Sequence, residues 1–265
     1  MSRVTYRVDA GVAVLTLTEP PANTYSYEMM RELDAAILDA RMDASVHVIV
    51  LTGAGEKFFC AGATIGMLKD ADPDFKYYFC LHANETLNRL EQTPKLVIAA
   101  LNGHTVGGGF EVAMAADLRI ARQDAGKIGL PEVALGVLPG TGGTQRLARL
   151  VGKARAMEMM ITGRLLTMGE ALGAGLITAV WGAETLNGRP FIDAVVDYAK
   201  QFAPPHKASR AVGRIKRAVQ SGAEAGFGEG LSLERELQQL LFESDDAREG
   251  IAANLEKRPP KFTGS

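Results

Sequence analysis

The sequence predicts an α/β fold, with strands and helices alternating over residues 1–190 and helices over residues 191–265. Two continuous apolar runs, VHVIVLT at 46–52 and LVIAAL at 96–101, have the length and composition of buried strands. Amphipathic helical patterns separate these runs, and from residue 144 onward the pattern is almost wholly helical. We therefore expect a mixed core followed by a helical region.

The N-terminal segment is predicted to form a hairpin, a loop and a helix. The β-rich runs 4–9 and 12–18 are joined by Ala10-Gly11, which is typical of a hairpin turn. Two prolines make residues 19–24 a loop. Residues 26–41 have a helical period of apolar side chains, at Met29, Met30, Leu33, Ile37 and Leu38.

The middle of the chain continues the alternation of strands and helices. Residues 58–68, FFCAGATIGML, are predicted to be a compact turn that leads into a short helix. A helix over 74–92 ends at Thr93-Pro94, because proline cannot continue it. Three glycines follow the strand at 96–101 and open a helix over 109–116, and a strand follows at 118–121.

The remaining residues are predicted to form a loop-rich stretch and a series of helices. The loop-rich stretch is 128–143, and one further strand pattern lies at 177–181. The predicted helices are 144–150, 153–161, 168–174, 190–202, 206–220, 228–242 and 244–256.

Composition restricts the classes of protein to which the chain can belong. Lys and Arg total 29 against 31 Asp and Glu, a net charge of −2, whereas general nucleic-acid binders are basic. The two cysteines cannot form a disulfide framework and favour a reducing compartment. No run approaches the roughly 20 apolar residues that span a bilayer, and no targeting segment precedes the first strand. We expect a cytoplasmic protein, with a processed organelle protein as the alternative.

The first candidate site is the segment NGHTVGGGFEVAMAAD at 102–117, where a glycine triplet separates a strand from a helix. Glycine allows a ligand to approach the backbone, and the first turn of a helix has free N–H groups. Together they can stabilise a negative charge that develops on an oxygen atom. Glu111, three residues after Gly108, lies on the same helix face. The ordinary alternative is tight helix–strand packing with Glu111 as an N-terminal charge.

Two further segments are candidates for the same site. Ala61-Gly62-Ala63 forms a second small-residue turn after a buried strand, and its backbone N–H groups can point at the same ligand atom; an ordinary turn is the alternative. Glu132 stands in GLPEVALGVLPGTGG at 129–143, next to Leu130, Pro131, Val133 and Leu135. These apolar neighbours are expected to desolvate the carboxyl and raise its pKa, which suits a proton donor; a surface glutamate or a core ion pair is the alternative.

Other motifs argue against nucleotide and metal sites. GTGGTQ at 140–145 lacks the third glycine of a dinucleotide fingerprint, and the four histidines have no ligand spacing. Cys60 is expected to be a buried apolar side chain, and His104 to fill space in the glycine loop. One basic run without acids is expected to be a solvated helix face, with RNA contact as the alternative: Lys207, Arg210, Arg214, Lys216 and Arg217.

Taken together, the ordered motifs resemble the enoyl-CoA hydratase/isomerase family, also called the crotonase family. The motifs are AGATI at 61–65, NGHTVGGGFE at 102–111, Pro131-Glu132 and GVLPGTGGTQRL at 136–147. The resemblance extends through GKARAMEMMITGR, DDAREG and the closing EKR. It implies a superhelix of stacked β-β-α turns over residues 1–190. It also implies that residues 191–265 form trimers, which often pair into hexamers, and help to close the active site.

The resemblance assigns roles to individual residues. The backbone N–H groups of Ala63 and Gly108 match the family's oxyanion hole, which polarises the carbonyl of a coenzyme A thioester. Glu111 matches the base that activates water, and Glu132 the acid that protonates C2. The implied contacts to substrate and coenzyme A are Ala61, Ala63, Thr64, Ile65, Gly66, Gly108 and Lys257. No metal or redox cofactor is implied, because coenzyme A is part of the substrate.

Three residues depart from the family pattern. Thr64 stands where the family often has Asp, Gly66 where it often has Lys, and Asn254 where it often has an aromatic residue near the adenine. Lys257 matches a lysine that a neighbouring subunit contributes to the coenzyme A phosphates. These departures concern coenzyme A affinity or substrate range rather than the chemistry.

The presence of both glutamates favours a 2-enoyl-CoA hydratase of fatty-acid β-oxidation, since hydration needs two proton movements. The alternatives are an enoyl-CoA isomerase, or a hydratase for a cyclic, aromatic or sulfur-containing acyl group. From a different class, an RNA-binding family member remains open. The helix over 74–92 is expected to border the acyl pocket through Phe75, Tyr77, Tyr78 and Phe79.

Overall fold

The strands of the computed structural model, which describes residues 2–265 apart from the Leu68 side chain, confirm the α/β class. Within that part of the chain they are β1 (Val4–Asp9), β2 (Val12–Leu17), β3 (Val48–Gly53), β4 (Phe58–Cys60), β5 (Leu96–Leu101), β6 (His104–Val106), β7 (Leu118–Arg122), β8 (Lys127–Gly129), β9 (Leu166–Thr167) and β10 (Ala179–Trp181).

The helices follow the predicted pattern closely. They are α1 (Tyr27–Met42), α2 (Ile65–Asp70), α3 (Pro73–Gln92), α4 (Gly108–Met114), α5 (Gly143–Val151), α6 (Lys153–Thr162), α7 (Met168–Gly173), α8 (Ala183–Leu186), α9 (Phe191–Lys200), α10 (Ser209–Glu224), α11 (Phe227–Phe242) and α12 (Asp245–Leu255). A 3-10 turn, Glu132–Leu135, lies within the stretch predicted to be loop.

The larger sheet has the order β1-β2-β3-β5-β7-β10. β1 and β2 form the predicted antiparallel hairpin, and the other neighbours are parallel. Side chains on one face pack against α1 and α3, and those on the other face pack against α9. Because both faces are covered, β3 and β5 are buried throughout and, apart from Thr52, apolar rather than alternating, which is why they could be predicted from continuous apolar runs.

The smaller sheet, of order β4-β6-β8-β9, was not predicted. Part of the segment 58–68 that we expected to be only a turn and a helix is strand β4, and parts of the expected loops are β6 and β8. Strands of two or three residues are too short to have a readable period. The pairs β3–β4, β5–β6 and β7–β8 each run from the larger sheet to the smaller one before a helix, which confirms the stacked β-β-α turns.

Helix α10 docks on the core through two residues one turn apart. Gly213 lies so close to Pro94 that a Cβ would overlap the Pro94 carbonyl. Lys216 is buried, and its Nζ lies 2.9 Å from Asp117 Oδ2 and donates to the carbonyls of Leu90 and Lys95. The expectation that Lys216 belongs to a solvated basic face is therefore wrong, because its ammonium group is needed inside the core.

Within the described residues, no helix has the length and apolar composition of a membrane span. The helices of 191–265 are present as predicted, although α9 is part of the core because it covers the larger sheet. The assignment of this region to oligomerisation stays a prediction.

We expect the Lys216–Asp117 pair to be essential for holding α10 on the core. Burial lowers the pKa of Lys216 and raises that of Asp117, and each partner's charge opposes the shift in the other. Lys216→Met or Asp117→Ala leaves an unpaired buried charge and should reduce the free energy of unfolding by about 3–5 kcal/mol. Urea unfolding at fixed protomer concentration measures this.

The control Arg149→Met removes the exposed ion pair between Arg149 and Glu224 of α10 and should have a much smaller effect. The double variant Lys216→Met/Asp117→Ala should lose less stability than the two single losses combined, since no charge is left unpaired. Additive losses would contradict this account.

Candidate active site

Each glycine of the triplet that precedes Glu111 is needed for its backbone conformation or because a neighbour leaves no room for a side chain. Gly107 has φ 58° and ψ −135°, a conformation that side chains do not tolerate, and its N–H donates to the Gly129 carbonyl. A Cβ on Gly108 would overlap the Tyr25 hydroxyl, and one on Gly109 would overlap the Cys60 carbonyl. The packing alternative is thus correct for Gly109, while Gly108 begins α4 with a backbone N–H that has no acceptor among the described residues.

The turn at 61–64 lies directly against this glycine segment. Tyr25 N–H donates to the Gly62 carbonyl at 2.9 Å, and Thr64 N–H donates to the Tyr25 carbonyl at 3.0 Å. Between them, the Ala63 N–H has no acceptor in the described part of the chain. A Cβ on Gly62 would lie 3.0 Å from the Gly108 nitrogen, so the two turns are in contact. This contact places the two predicted donors, the backbone N–H groups of Ala63 and Gly108, next to each other.

Glu111 is buried in α4, and three hydrogen bonds satisfy its carboxylate. Its Oε1 accepts from the backbone N–H groups of Thr141 at 2.8 Å and Gly143 at 2.6 Å. Its Oε2 accepts from the Thr141 hydroxyl. Burial raises the pKa of Glu111, and these hydrogen bonds act against the rise by stabilising the charged form.

Glu132, in the 3-10 turn, has a different environment. Its Oε2 is buried without a hydrogen-bond partner among the described residues, and its Oε1 would lie 3.1 Å from a Cβ on Gly107. Burial, together with the nearby charge of Glu111, raises the pKa of Glu132 to about 7, although a backbone hydrogen bond opposes the rise. The predicted direction and its predicted cause, desolvation, are both confirmed. Of the apolar neighbours named for it, Leu130 is buried, whereas Val133 and Leu135 are exposed.

The two carboxyl groups therefore differ in the form that the site favours. Glu111 accepts three hydrogen bonds, which stabilise a carboxylate. Glu132 has an unpartnered oxygen in a partly dry position, which favours the protonated form more than water would, so that both forms are present near neutral pH. An acid and a base thus lie beside backbone donors, an arrangement that can move two protons at one bound substrate.

The remaining predicted ligand contacts divide into two groups. Ala61 N–H donates to the Ala22 carbonyl, and the Thr64 hydroxyl donates to Thr24 Oγ1, so both shape the turn. Ile65 and Gly66 are exposed at the start of α2. Lys257 is exposed after α12, and no described hydrogen bond or ion pair joins it to residues 61–66 or 108–111. Its contact with coenzyme A stays a prediction.

The aromatic residues of α3 approach the site only in part. Phe79 is buried with its ring centroid 5.8 Å from that of Tyr25, and Phe75 stacks on Phe79. Tyr77 and Tyr78 are exposed, and their rings contact each other edge to face. Cys60 is buried, as expected, and burial raises its pKa to about 12. Within the described residues, no cluster of three metal-ligating side chains occurs.

Sequence reasoning missed two residues of the site, Tyr25 and Thr141. Tyr25 follows a proline-rich loop, and Thr141 lies within PGTGG. The Tyr25 hydroxyl lies 3.2 Å from Thr141 Oγ1, which in turn contacts Glu111. The two residues are 116 positions apart, so no spacing pattern could have joined them.

Comparison with known proteins identifies the family of the chain. The profile of the enoyl-CoA hydratase/isomerase family matches residues 7–265. The chain belongs to this family. Its members include a probable enoyl-CoA hydratase of Bacillus subtilis (strain 168), which is 38% identical over 275 residues and covers 100% of both chains.

Two further family members are similar to the chain over nearly its whole length. A short-chain-enoyl-CoA hydratase of Clostridium acetobutylicum is 36% identical and covers 97% of this chain and 96% of its own. The crystal structure of an enoyl-CoA hydratase from Geobacillus kaustophilus HTA426 has a TM-score of 0.95 and 45% identity. That likeness covers 100% of this chain and 98% of the other.

Proposed function

We propose that the chain is a 2-enoyl-CoA hydratase, which adds water across the C2=C3 double bond to give a 3-hydroxyacyl-CoA. The pair of unlike carboxyl groups carries this proposal. Glu111 is held as a carboxylate by three donors, while the pKa of Glu132 is raised to about 7 by burial. Hydration needs one group that accepts a proton and one that donates a proton, and this site has one of each.

In the proposed reaction the thioester oxygen accepts hydrogen bonds from the free N–H groups of Ala63 and Gly108. Glu111 takes a proton from a water molecule, whose oxygen forms a bond to C3. The electrons of the C2=C3 bond move towards C2 and the thioester oxygen, where the two N–H groups stabilise the developing charge. Glu132 then gives its proton to C2. One water molecule is added: its hydroxyl group is on C3, its other proton is on Glu111, and the proton from Glu132 is on C2.

This proton balance fixes the active form of the enzyme. Hydration starts with Glu111 ionised and Glu132 protonated, and ends with the proton on Glu111. Dehydration starts from that second arrangement. Both are tautomers of one state, in which the two carboxyl groups share a single proton, so apparent pKa values belong to the pair.

Further features of the proposal concern the ligand, the assembly and the location. An acyl-CoA thioester is the substrate, with Lys257 of a neighbouring subunit as a phosphate contact and no separate cofactor.

A homotrimer or hexamer is supported by exposed apolar side chains on α10 and α11, at Ile215, Val219, Phe227 and Phe242, since large apolar patches favour association. Membership of β-oxidation in the cytoplasm remains part of the proposal, and neither a membrane nor a nucleic-acid partner is proposed.

Loss of either carboxyl should abolish most hydration. Glu111→Gln and Glu132→Gln should each lower kcat for crotonyl-CoA by about 10²–10⁴-fold, the usual contribution of a general acid or base. The decay of the conjugated thioester absorbance measures the rate. Binding of butyryl-CoA, measured by calorimetry, should be unchanged because no donor to the thioester is lost.

Glu184→Gln, an exposed change on α8, serves as the matched control and should leave kcat unaltered. Rapid hydration by either active-site variant would contradict the two-carboxyl mechanism. If the wild type fails to hydrate crotonyl-CoA but converts a 3-enoyl-CoA into its 2-enoyl isomer, the chain is an isomerase instead.

The pH profile should report the shared proton. Ionisation of Glu132 near pH 7 removes that proton, so kcat/KM should fall about tenfold per pH unit above its apparent pKa. The reaction consumes no net proton, so hydration and dehydration must share this alkaline limb. The residual activity of Glu132→Gln should show no such fall at alkaline pH. A wild-type rate that stays level to pH 9 would contradict the assignment.

A further inference from the structure

A chain of buried hydroxyl groups connects Tyr25 to the carboxylate of Glu111. The Tyr25 hydroxyl lies 3.2 Å from Thr141 Oγ1, and the Thr141 hydroxyl donates to Glu111 Oε2. All three residues are at most 3% exposed. Buried hydroxyl groups need hydrogen-bond partners. Within the described residues, the Tyr25 hydroxyl is partnered by Thr141, and the Thr141 hydroxyl by Glu111.

Counting the available protons shows which group donates in each hydrogen bond of this hydroxyl chain. Thr141 has one hydroxyl proton, and the carboxylate of Glu111 takes it. Thr141 Oγ1 can therefore only accept from Tyr25, which makes the phenol the first donor. Successive hydrogen bonds of this kind polarise one another, so the phenol strengthens the bond to Glu111 without touching it.

Tyr25 also contacts both halves of the oxyanion hole. Its backbone bonds to Gly62 and Thr64 hold the turn that presents the Ala63 N–H. Its hydroxyl lies against Gly108, where a Cβ would otherwise be. A single residue thus joins the two backbone donors to the base.

We propose that Tyr25 and Thr141 are positioning residues that keep the shared proton on Glu132 and leave Glu111 ionised to receive the water proton. This inference rests on the proposed hydration. Burial by itself favours protonation of Glu111, which would place the shared proton on the wrong carboxyl. The hydroxyl chain offsets that tendency by stabilising the ionised form of Glu111.

Other titratable groups also face Glu111, and the test leaves them unchanged. They are Cys80, Glu132 and Arg146. Burial raises the pKa of Cys80, which keeps its thiol neutral, and Arg146 is paired with Glu91 at 2.9 Å. A change in the titration of Glu111 in the variants below is therefore due to the hydroxyl chain.

The variants Tyr25→Phe and Thr141→Val remove one hydroxyl each and keep the side-chain shape. We expect each to lower kcat for hydration about tenfold, to leave KM nearly unchanged, and to move the acid limb of the pH profile up by about one unit. Thr141→Ser keeps the hydroxyl and should restore wild-type behaviour. Tyr198→Phe, on α9 over the opposite face of the larger sheet, is the matched control and should change nothing.

A second readout does not depend on catalysis. The amide groups of Thr141 and Gly143 donate to Glu111 Oε1, so their NMR chemical shifts should follow its ionisation in the unliganded protein. The midpoint should rise in Tyr25→Phe and in Thr141→Val, and the titration should vanish in Glu111→Gln. Circular dichroism of each variant checks that the fold is kept.

The two readouts separate the possible failures. Shifted NMR midpoints in a protein that does not hydrate any enoyl-CoA would overturn the proposed function and support the control of Glu111 by the hydroxyl chain. A protein that hydrates crotonyl-CoA, but whose acid limb and NMR midpoints are unchanged in Tyr25→Phe and Thr141→Val, would overturn the inference. So would a Thr141→Ser variant as impaired as Thr141→Val.

Discussion

The buried carboxylate of Glu111 is the group on which the arrangement of the site depends. Taking an ionised carboxyl out of water is costly unless donors surround it. Here the loop at 139–143 supplies two backbone N–H groups and the Thr141 hydroxyl. That loop can reach Glu111 only because α5 begins at Gly143, where a Cβ would lie 2.8 Å from Glu111 Oε1. Gly143 is therefore required for the loop to approach the carboxylate and not only for chain flexibility.

The same constraint explains why the two carboxyl groups behave differently. Glu111 accepts from the available donors, so the nearby Glu132 has an unpartnered oxygen. The negative charge of Glu111 also raises the pKa of Glu132. Two like charges in one partly dry site favour a single shared proton. The difference between acid and base follows from where the donors are, because the two side chains are chemically identical. In the proposed reaction, the free N–H groups of Ala63 and Gly108 complete the site by stabilising the negative charge that develops on the thioester oxygen of the bound substrate.

Sequence reasoning succeeded where the signal was continuous along the chain. Buried strands such as β3 and β5, and the strand–glycine–helix segment that carries Glu111, have readable patterns because each is local. It failed where structure depends on distant contacts or very short elements. The smaller sheet has strands of two or three residues. Lys216 looked like part of a solvated face, although its partner Asp117 lies about 100 residues earlier. The link from Tyr25 through Thr141 to Glu111 likewise exists only in the folded chain.

The central claim is that two backbone N–H groups, from Ala63 and Gly108, polarise a thioester carbonyl next to this carboxyl pair. The most direct test is the infrared spectrum of crotonyl-CoA labelled with ¹³C at the thioester carbon and bound to the Glu132→Gln variant, which turns over slowly. Two donors in a water-excluded site should lower the carbonyl stretching frequency below its value in water. A bound frequency equal to or above the value in water would contradict the account.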